Sequence, residues 1–257
     1  MSPRDKLADA AYFTAKIAEE TAYLEADKAR IEQFIADKGE KASGRAKEIF
    51  QLQVICASMA YSRGDAIDDV RERIVSAFLD LKYLHQLYAK YPDEIRVNRG
   101  SYWDALRRLT YAVAYFPGQE GVDRAIYDVE FFGKTDPILV AMLDWLKGNP
   151  IRRDREDSEL DFPESFIDLW HAISYPRDEQ AGALKRYIEN WYEDNLKIRG
   201  EGAPGIGSHE KMIRYQGYWC WEAAAVAIMM DIDDTTFRDH EHYPKDLVAW
   251  ARTRKGA

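Results

Sequence analysis

The sequence predicts an all-α fold, a multi-helix bundle in which two helical subdomains pack into one body. Glycine and proline are scarce, at 15 and 9 of 257 residues, whereas turn-rich all-β folds use more of both. Apolar residues recur at three- and four-residue steps, which is the spacing of one helix face. No segment alternates with period two for long enough to indicate a sheet.

Helix start and stop signals order the first half of the chain. Ser2 and Pro3 are typical of an N-cap and a first helical residue, and Gly39 is suited to end the helix that follows. Gly64 ends the second helix, and Asp65 caps the third. The predicted helices of this half cover about residues 3–38, 44–62, 66–90, 101–116 and 120–132.

Helix start and stop signals also order the second half of the chain. Asp136 and Pro137 start a helix, and Gly148 stops it. A charged connection then runs into a helix that begins near Pro163, and a glycine-rich loop covers residues 200–207. The predicted helices of this half cover about residues 137–147, 163–174, 178–199, 217–230 and 244–253.

Charge divides the chain near its middle. Residues 1–125 carry 20 acidic and 19 basic side chains, whereas residues 126–257 carry 25 and 17. We therefore predict an N-terminal helical domain over residues 1–125. An acidic C-terminal helical domain follows over residues 126–257 and contains a helix with the pattern GYWxWEAAA, which starts at Gly217.

The overall charge limits the classes of partner. The formal net charge is −9. This argues against nucleic acid or an anionic membrane as the main partner, because phosphate binding needs an excess of lysine and arginine. A basic protein is the more natural partner.

Cysteine usage and hydropathy predict the compartment. Cys56 and Cys220 lie in apolar helical contexts without CxxC spacing, which is typical of buried thiols in a reducing compartment. The longest uncharged apolar run, residues 49–62, is shorter than a membrane span requires. The charged N-terminus does not fit a signal peptide. We therefore expect a cytoplasmic protein.

Catalytic and cofactor motifs are weak throughout the sequence. The loop at residues 200–207 has neither the P-loop order nor the dinucleotide-binding fingerprint, and the sequence has no GxSxG motif. Residues 231–236 alternate acids as a calcium loop does, but Thr236 stands where the sharp-turn glycine is needed. We therefore expect no enzyme activity, no cofactor and no metal.

One cluster of histidines leaves an alternative open. Asp239 is followed by His240, Glu241 and His242, and His209 is followed by Glu210. The i, i+2 spacing differs from the i, i+4 spacing of HExxH, and a helix would point the two rings apart. A metal- or acid/base-dependent hydrolase that uses His209, His240 and His242 is the hypothesis that this cluster supports.

Glu222 is the one charged residue of an otherwise uncharged apolar helix. A carboxylate in such a place is costly to desolvate unless an arginine or hydrogen-bond donors meet it. We predict a structural buried charge at Glu222, in an ion pair that fixes the register of the helix. A functional role is the alternative.

Residues 215–252 contain a specific order of aromatic, acidic and small residues. Its parts are Gly217-Tyr218-Trp219, Trp221-Glu222-Ala223-Ala224-Ala225, Asp231-Ile232-Asp233-Asp234 and Tyr243-Pro244-Lys245-Asp246-Leu247. This string resembles the C-terminal domain of the PoNe immunity proteins, the PoNi family of interbacterial antitoxins. Arg4-Asp5 at the start of a long helix and the segment 101–116 resemble the N-terminal helical domain of that family more loosely.

The resemblance implies a non-enzymatic, all-helical protein that binds and neutralises a cognate DNase toxin. In that family the toxin is delivered between bacteria by secretion systems, and the producing cell makes the antidote to protect itself. A helical adaptor or scaffold that binds another basic protein is the second hypothesis. A homodimer would be supported by exposed tryptophans, for which the candidates are Trp145, Trp170, Trp191 and Trp250.

The most acidic segment, residues 154–168, holds seven acids and a single base, Arg155. It is either a solvated connection between helices or an acidic binding lip. Because a DNase presents a basic cleft to phosphates, an acidic partner is steered to that cleft quickly. We predict that the segment lies at or beside the toxin interface. The predicted partner-binding residues are Asp154, Glu156, Asp157, Glu159, Asp161 and Glu164, extended by Glu189, Glu193 and Asp194.

Overall fold

A computed structural model describes residues 3–38, 43–88, 99–116, 136–197, 209, 212 and 214–254. Within these ranges the protein contains ten α-helices, a short 3-10 turn and no strand. The predicted all-α class is therefore confirmed. The helices are α1 (Ala10–Lys28), α2 (Ile31–Lys38), α3 (Ser43–Arg63), α4 (Ile67–Tyr88), α5 (Arg99–Tyr115), α6 (Pro137–Leu146), α7 (Pro163–Ser174), α8 (Arg177–Lys197), α9 (Trp221–Met230) and α10 (Lys245–Arg254).

The chain divides into two compact units. Unit 1 comprises Met1–Arg96 and Gly207–Gly217, and unit 2 comprises Val97–Ile206 and Tyr218–Ala257. Unit 1 therefore holds α1 to α4, and unit 2 holds α5 to α10. The domain boundary predicted between residues 125 and 126 lies outside the described residues and stays a prediction. The helix predicted over residues 120–132 and the loop at 200–207 lie outside them as well.

The first helix begins later than Pro3, where the sequence predicted it. The Oδ1 of Asp5 accepts hydrogen bonds from the backbone N–H groups two and three residues further on, at 2.8 and 2.9 Å. This side-chain turn competes with helix formation. Asp9 is the N-cap of α1 instead, with its side chain bound to a backbone N–H of the first turn at 2.8 Å. The helix ends at Lys28, before a turn that leads into α2.

Unit 1 has its core between α1, α3 and α4. α3 packs against both of the other helices, and the rings of Phe50 on α3 and Phe78 on α4 meet edge to face at 5.2 Å. A distant segment completes the unit, because Arg214 pairs at 2.8 Å with the buried carboxylate of Glu20 on α1.

The buried centre of unit 2 is α9. It packs against α5, α7, α8 and α10, and every residue from Glu222 to Met230 is buried. Its alanines allow the neighbouring helices to approach closely. The sequence predicted a start at residue 217, but the helix begins at Trp221, because Gly217 has a left-handed φ of 90° and Cys220 has a non-helical backbone conformation.

Two of the four tryptophans considered for a dimer surface lie in the core. Trp170 on α7 and Trp191 on α8 are 0 % and 5 % exposed, since both side chains face the interior of unit 2. The homodimer stays a prediction. Cys56 and Cys220 are buried free thiols, as predicted. Within the described ranges, no helix is both long and apolar enough to cross a membrane.

Candidate partner-binding surface

Residues 147–162 connect α6 to α7. We call this connection the acidic loop because its second half, residues 154–162, holds five acids and one base, whereas its first half holds three bases, Lys147, Arg152 and Arg153. The first half is fixed by Asp144 at the end of α6, which is 4 % exposed. The Nε and Nη2 groups of Arg152 donate to the two carboxylate oxygens of Asp144 at 2.8 and 2.9 Å. The backbone N–H of Asn149 donates to the backbone carbonyl of Asp144 at 2.8 Å. Such a two-pronged arginine–carboxylate pair fixes geometry as well as charge.

The second half of the acidic loop is held by Asp136, which is fully buried. The Oδ1 of Asp136 accepts hydrogen bonds from the backbone N–H groups of Ile138 and Leu139, at 2.9 and 3.1 Å, and so caps α6. Its Oδ2 accepts the backbone N–H of Asp161 at 3.1 Å. Burial raises the pKa of Asp136 to about 6. The sequence predicted Asp136 as a helix start and gave no sign of its second contact.

The middle of the acidic loop contains the 3-10 turn Asp157–Glu159. The carboxylate of Glu159 accepts the backbone N–H of Glu156 at 2.9 Å and pairs with Arg155 at 2.6 Å. These hydrogen bonds lower the pKa of Glu159. A carboxylate oxygen of Asp157 lies 2.9 Å from the Nε2 of His171 on α7. The backbone that carries these acids is therefore held in one conformation by hydrogen bonds and ion pairs.

Eight of the nine acids predicted to bind a partner are exposed, and Asp194 is half-buried. Partial burial raises the pKa of Asp161. Five of the exposed acids lie in the acidic loop, one lies in the first turn of α7 and two lie on α8. The exposed set is Asp154, Glu156, Asp157, Glu159, Asp161, Glu164, Glu189 and Glu193.

The predicted acids of α7 and α8 lie on a helical hairpin. The two helices are joined by two residues and pack against each other, and Asp168 of α7 pairs with Arg186 of α8 at 3.0 Å. Glu164 and Glu189 each lie about one helical turn beyond this pair, away from the connection, so we expect them to be on neighbouring parts of the two antiparallel helices. Exposed acids are therefore present on both helices, at Glu164 on α7 and at Glu189 and Glu193 on α8.

Glu222 is buried in α9, at 7 % exposure. The hydroxyl of Tyr187 and the indole N–H of Trp191 donate to its Oε1 at 2.9 and 2.6 Å. Both donors come from one face of α8 and are neutral, where the sequence predicted an ion pair. Burial raises the pKa of Glu222. The buried carboxylate therefore links α8 to α9 through hydrogen bonds.

The histidines predicted as a possible metal site have other surroundings. His209 belongs to unit 1, and His240 and His242 belong to unit 2. The Nδ1 of His242 lies 3.0 Å from the carbonyl oxygen of Tyr218, and burial lowers the pKa of His240. Glu210 lies outside the described residues. Among those that are described, no three histidine, cysteine or acidic side chains are placed to hold a metal ion.

The acids after α9 serve the structure of unit 2. Asp231 ends α9 in the left-handed conformation, with a φ of 52°. Asp234 is buried and pairs with Arg238 at 2.6 Å and with Arg252 at 3.1 Å. Burial acts to raise the pKa of Asp234, but the hydrogen bonds from these two arginines bring it below its ordinary value. These contacts give a structural role to Asp231 and Asp234, two of the three acids that resemble a calcium loop in sequence.

An aromatic cluster beside α8 was not predicted from the sequence. The ring of His242 stacks on Tyr192 at 5.4 Å and lies 5.5 Å from the ring of Trp191. Tyr218 packs on Tyr192 at 5.1 Å. The residues come from three separate stretches of the chain, so no local spacing could have revealed the cluster.

Comparison with known families places the C-terminal part of the chain. Residues 140–247 match the model of the PoNe immunity proteins (PoNi), C-terminal. This confirms the resemblance carried by the string after residue 215 and extends it over the acidic loop, α7 and α8. The matched family consists of immunity proteins, which are not catalytic.

One solved structure shares the whole fold. The crystal structure of protein PA2201 from Pseudomonas aeruginosa matches with a TM-score of 0.68 at 20 % sequence identity, and the match covers 99 % of this chain and 92 % of that chain. At this identity the similarity concerns the fold. No curated protein matches the chain.

Proposed function

We propose, from the match of residues 140–247 to the PoNe immunity proteins, that this protein is an immunity protein that binds and neutralises a PoNe-type nuclease toxin. The toxin is a DNase that secretion systems deliver between bacteria, and the protein acts in the cytoplasm of the cell that must be protected. It works by binding and has no catalytic role of its own.

The exposed acids of unit 2 support a basic partner. The acidic loop, the start of α7 and the exposed side of α8 carry eight exposed carboxylates. A DNase binds phosphates with lysine and arginine, so the surface that it uses for DNA is complementary to this face. We therefore assign the toxin contact to the acidic loop together with Glu164, Glu189, Glu193 and Asp194.

The acidic loop is anchored before any partner binds. Asp144 holds one half of the loop through Arg152, and Asp136 holds the other through the backbone of Asp161. A loop that is ordered before binding loses little conformational entropy in the complex. Its carboxylates are therefore ready to face a basic surface without rearrangement.

Electrostatic steering explains why such a surface suits an antidote. Complementary charges raise association rates by about 10–10³-fold at low ionic strength. A bound acidic protein also competes with DNA for the same basic groups, so occupancy alone prevents cleavage. An uninhibited nuclease damages the chromosome from its first encounter, and fast capture limits that damage.

Co-purification followed by an activity titration tests the proposal. The protein is mixed with a PoNe-type nuclease encoded beside it, the complex is isolated, and plasmid cleavage is measured at rising ratios of protein to nuclease. We expect a stable complex and loss of cleavage near a one-to-one ratio.

Two outcomes contradict the proposal. Tight binding with cleavage intact would indicate an adaptor for a basic protein, the second hypothesis drawn from the sequence. Absence of binding together with stoichiometric metal in the purified protein would favour the histidine-based hydrolase.

A further inference from the structure

A surface groove in unit 2 lies between α8 and the segment that follows α9. Its volume is about 280 Å³, which is below the usual size of pockets for drug-sized ligands, about 300–1,000 Å³. The groove therefore has room for a long side chain. We name it the α8 groove, and the lining residues that matter to the argument are Lys185, Glu189, Thr236, Phe237, Asp239 and His240.

The walls of the α8 groove are suited to a cationic side chain. The carboxylate side chains of Glu189 and Asp239 are 50 % and 82 % exposed. Phe237 supplies an apolar base and is 5 % exposed. The methylene stem of a lysine or arginine packs on apolar surface while its charged end meets carboxylates.

Both carboxylates of the α8 groove already hold ammonium groups of this chain. The Nζ of Lys185 lies 3.7 Å from Glu189, and the Nζ of Lys245 lies 2.6 Å from Asp239. Exposed pairs of this kind contribute little to stability, so a partner displaces them easily. An arginine competes well with them, because its planar guanidinium binds a carboxylate through two hydrogen bonds.

The aromatic cluster beside α8 is connected to the α8 groove through His240. His240 lines the groove and lies 5.4 Å from the ring of His242, which stacks on Tyr192. Tyr192 and His242 are only partly buried. Partly exposed tyrosine rings beside a pocket are typical of the residues that dominate binding energy at protein interfaces.

We infer that the α8 groove receives an arginine or lysine side chain of the nuclease and anchors the complex, whereas the acidic loop mainly accelerates encounter. The inference rests on the proposed function and assigns different kinetic roles to two parts of unit 2. The groove controls the dissociation rate, because its contacts form only in the docked complex. The acidic loop controls the association rate through its long-range field.

Association and dissociation rates of the complex with a PoNe-type nuclease test the inference. Thr236→Arg places bulk and positive charge at the groove from an exposed position, and Glu189→Gln removes one carboxylate. We expect each variant to dissociate faster, Thr236→Arg by about tenfold or more. Glu179→Gln, on the same helix but outside the groove, is the matched control and should dissociate like the wild type.

Lys185→Met gives a change of opposite sign. It removes the ammonium group that competes for Glu189, so we expect slower dissociation. Lys82→Met on α4 is the control, since it makes the same change in net charge in unit 1 and should leave the dissociation rate unchanged. Thermal unfolding of each variant confirms that the fold is retained.

These measurements distinguish failure of the inference from failure of the proposed function. If the wild-type protein binds the nuclease and all three groove variants dissociate at the wild-type rate, the inference is wrong and the proposed function stands. If the wild-type protein fails to bind, the proposed function is wrong and the inference falls with it.

Discussion

The backbone N–H of Asp161 donates a hydrogen bond to the Oδ2 of Asp136 at 3.1 Å. A single buried carboxylate therefore caps α6 and fixes the acidic loop 25 residues further along the chain. The stability of unit 2 and the shape of its acidic face depend on the same side chain.

Replacement of Asp136 by alanine should destabilise the protein. The change removes the N-cap of α6 and leaves the N–H of Asp161 without its acceptor, and we expect a loss of about 2–4 kcal/mol in the free energy of unfolding. Urea denaturation measures the loss. Asp161→Asn is the control, because only the backbone of Asp161 makes the contact, and it should cost less than about 1 kcal/mol. Equal losses in the two variants would contradict the anchoring role.

The buried position of Asp136 should also appear in the pH dependence of stability. Its pKa is raised in the folded protein from 3.8 to about 6, so the folded state binds this proton more tightly than the unfolded chain does. Ionisation of Asp136 between about pH 4 and pH 6 therefore lowers stability. The Asp136→Asn variant carries an amide that does not titrate in this range, so it lacks this contribution.

The stability of the wild type relative to Asp136→Asn should therefore fall as the pH rises from about 4 to about 6, by about 2 kcal/mol. Denaturant unfolding of both proteins at several pH values measures this difference. A difference that is constant over the range would show that burial does not perturb this carboxyl.

Glu222 should matter as a hydrogen-bond acceptor more than as a charge. Glu222→Ala leaves the donors of Tyr187 and Trp191 unpaired in the core and opens a cavity, so we expect a loss of about 2–4 kcal/mol. Glu222→Gln keeps an acceptor oxygen and should cost less than about 1.5 kcal/mol. Thermal or urea unfolding distinguishes them, and equal losses would mean that the negative charge itself is needed.

Reversal of four acids should slow capture of the nuclease. A variant with Asp154, Glu156, Glu164 and Glu193 changed to lysine loses much of the steering field, and we expect association at low salt to slow by about tenfold or more and to depend less on salt. Stopped-flow measurements over a salt series give both quantities. The matched control reverses four acids of unit 1, namely Glu19, Glu25, Asp37 and Glu72, and should affect association less. Equal slowing in both variants would show that these four acids have no special role in association.

Local signals in the sequence identified most helices of the described chain. The cap at Asp136, the proline at Pro163 and the alanine-rich stretch after Glu222 each lie in or next to a helix that the structure contains. The start of α1 was predicted too early, because the Asp5 side chain binds the N–H groups that a helix would need. Alternatives of this kind differ by single hydrogen bonds, which residue patterns do not resolve.

Sequence alone determined the helical class, the acidic character of the second half and the resemblance to the PoNe immunity proteins. Each of these depends on composition, periodicity or the order of neighbouring residues. The tertiary structure decided that Asp136 holds the acidic loop, that Tyr187 and Trp191 meet Glu222, and that a groove lies beside the aromatic cluster of α8. These features join residues that are far apart in the chain, and only the packing of helices brings such residues within hydrogen-bond distance.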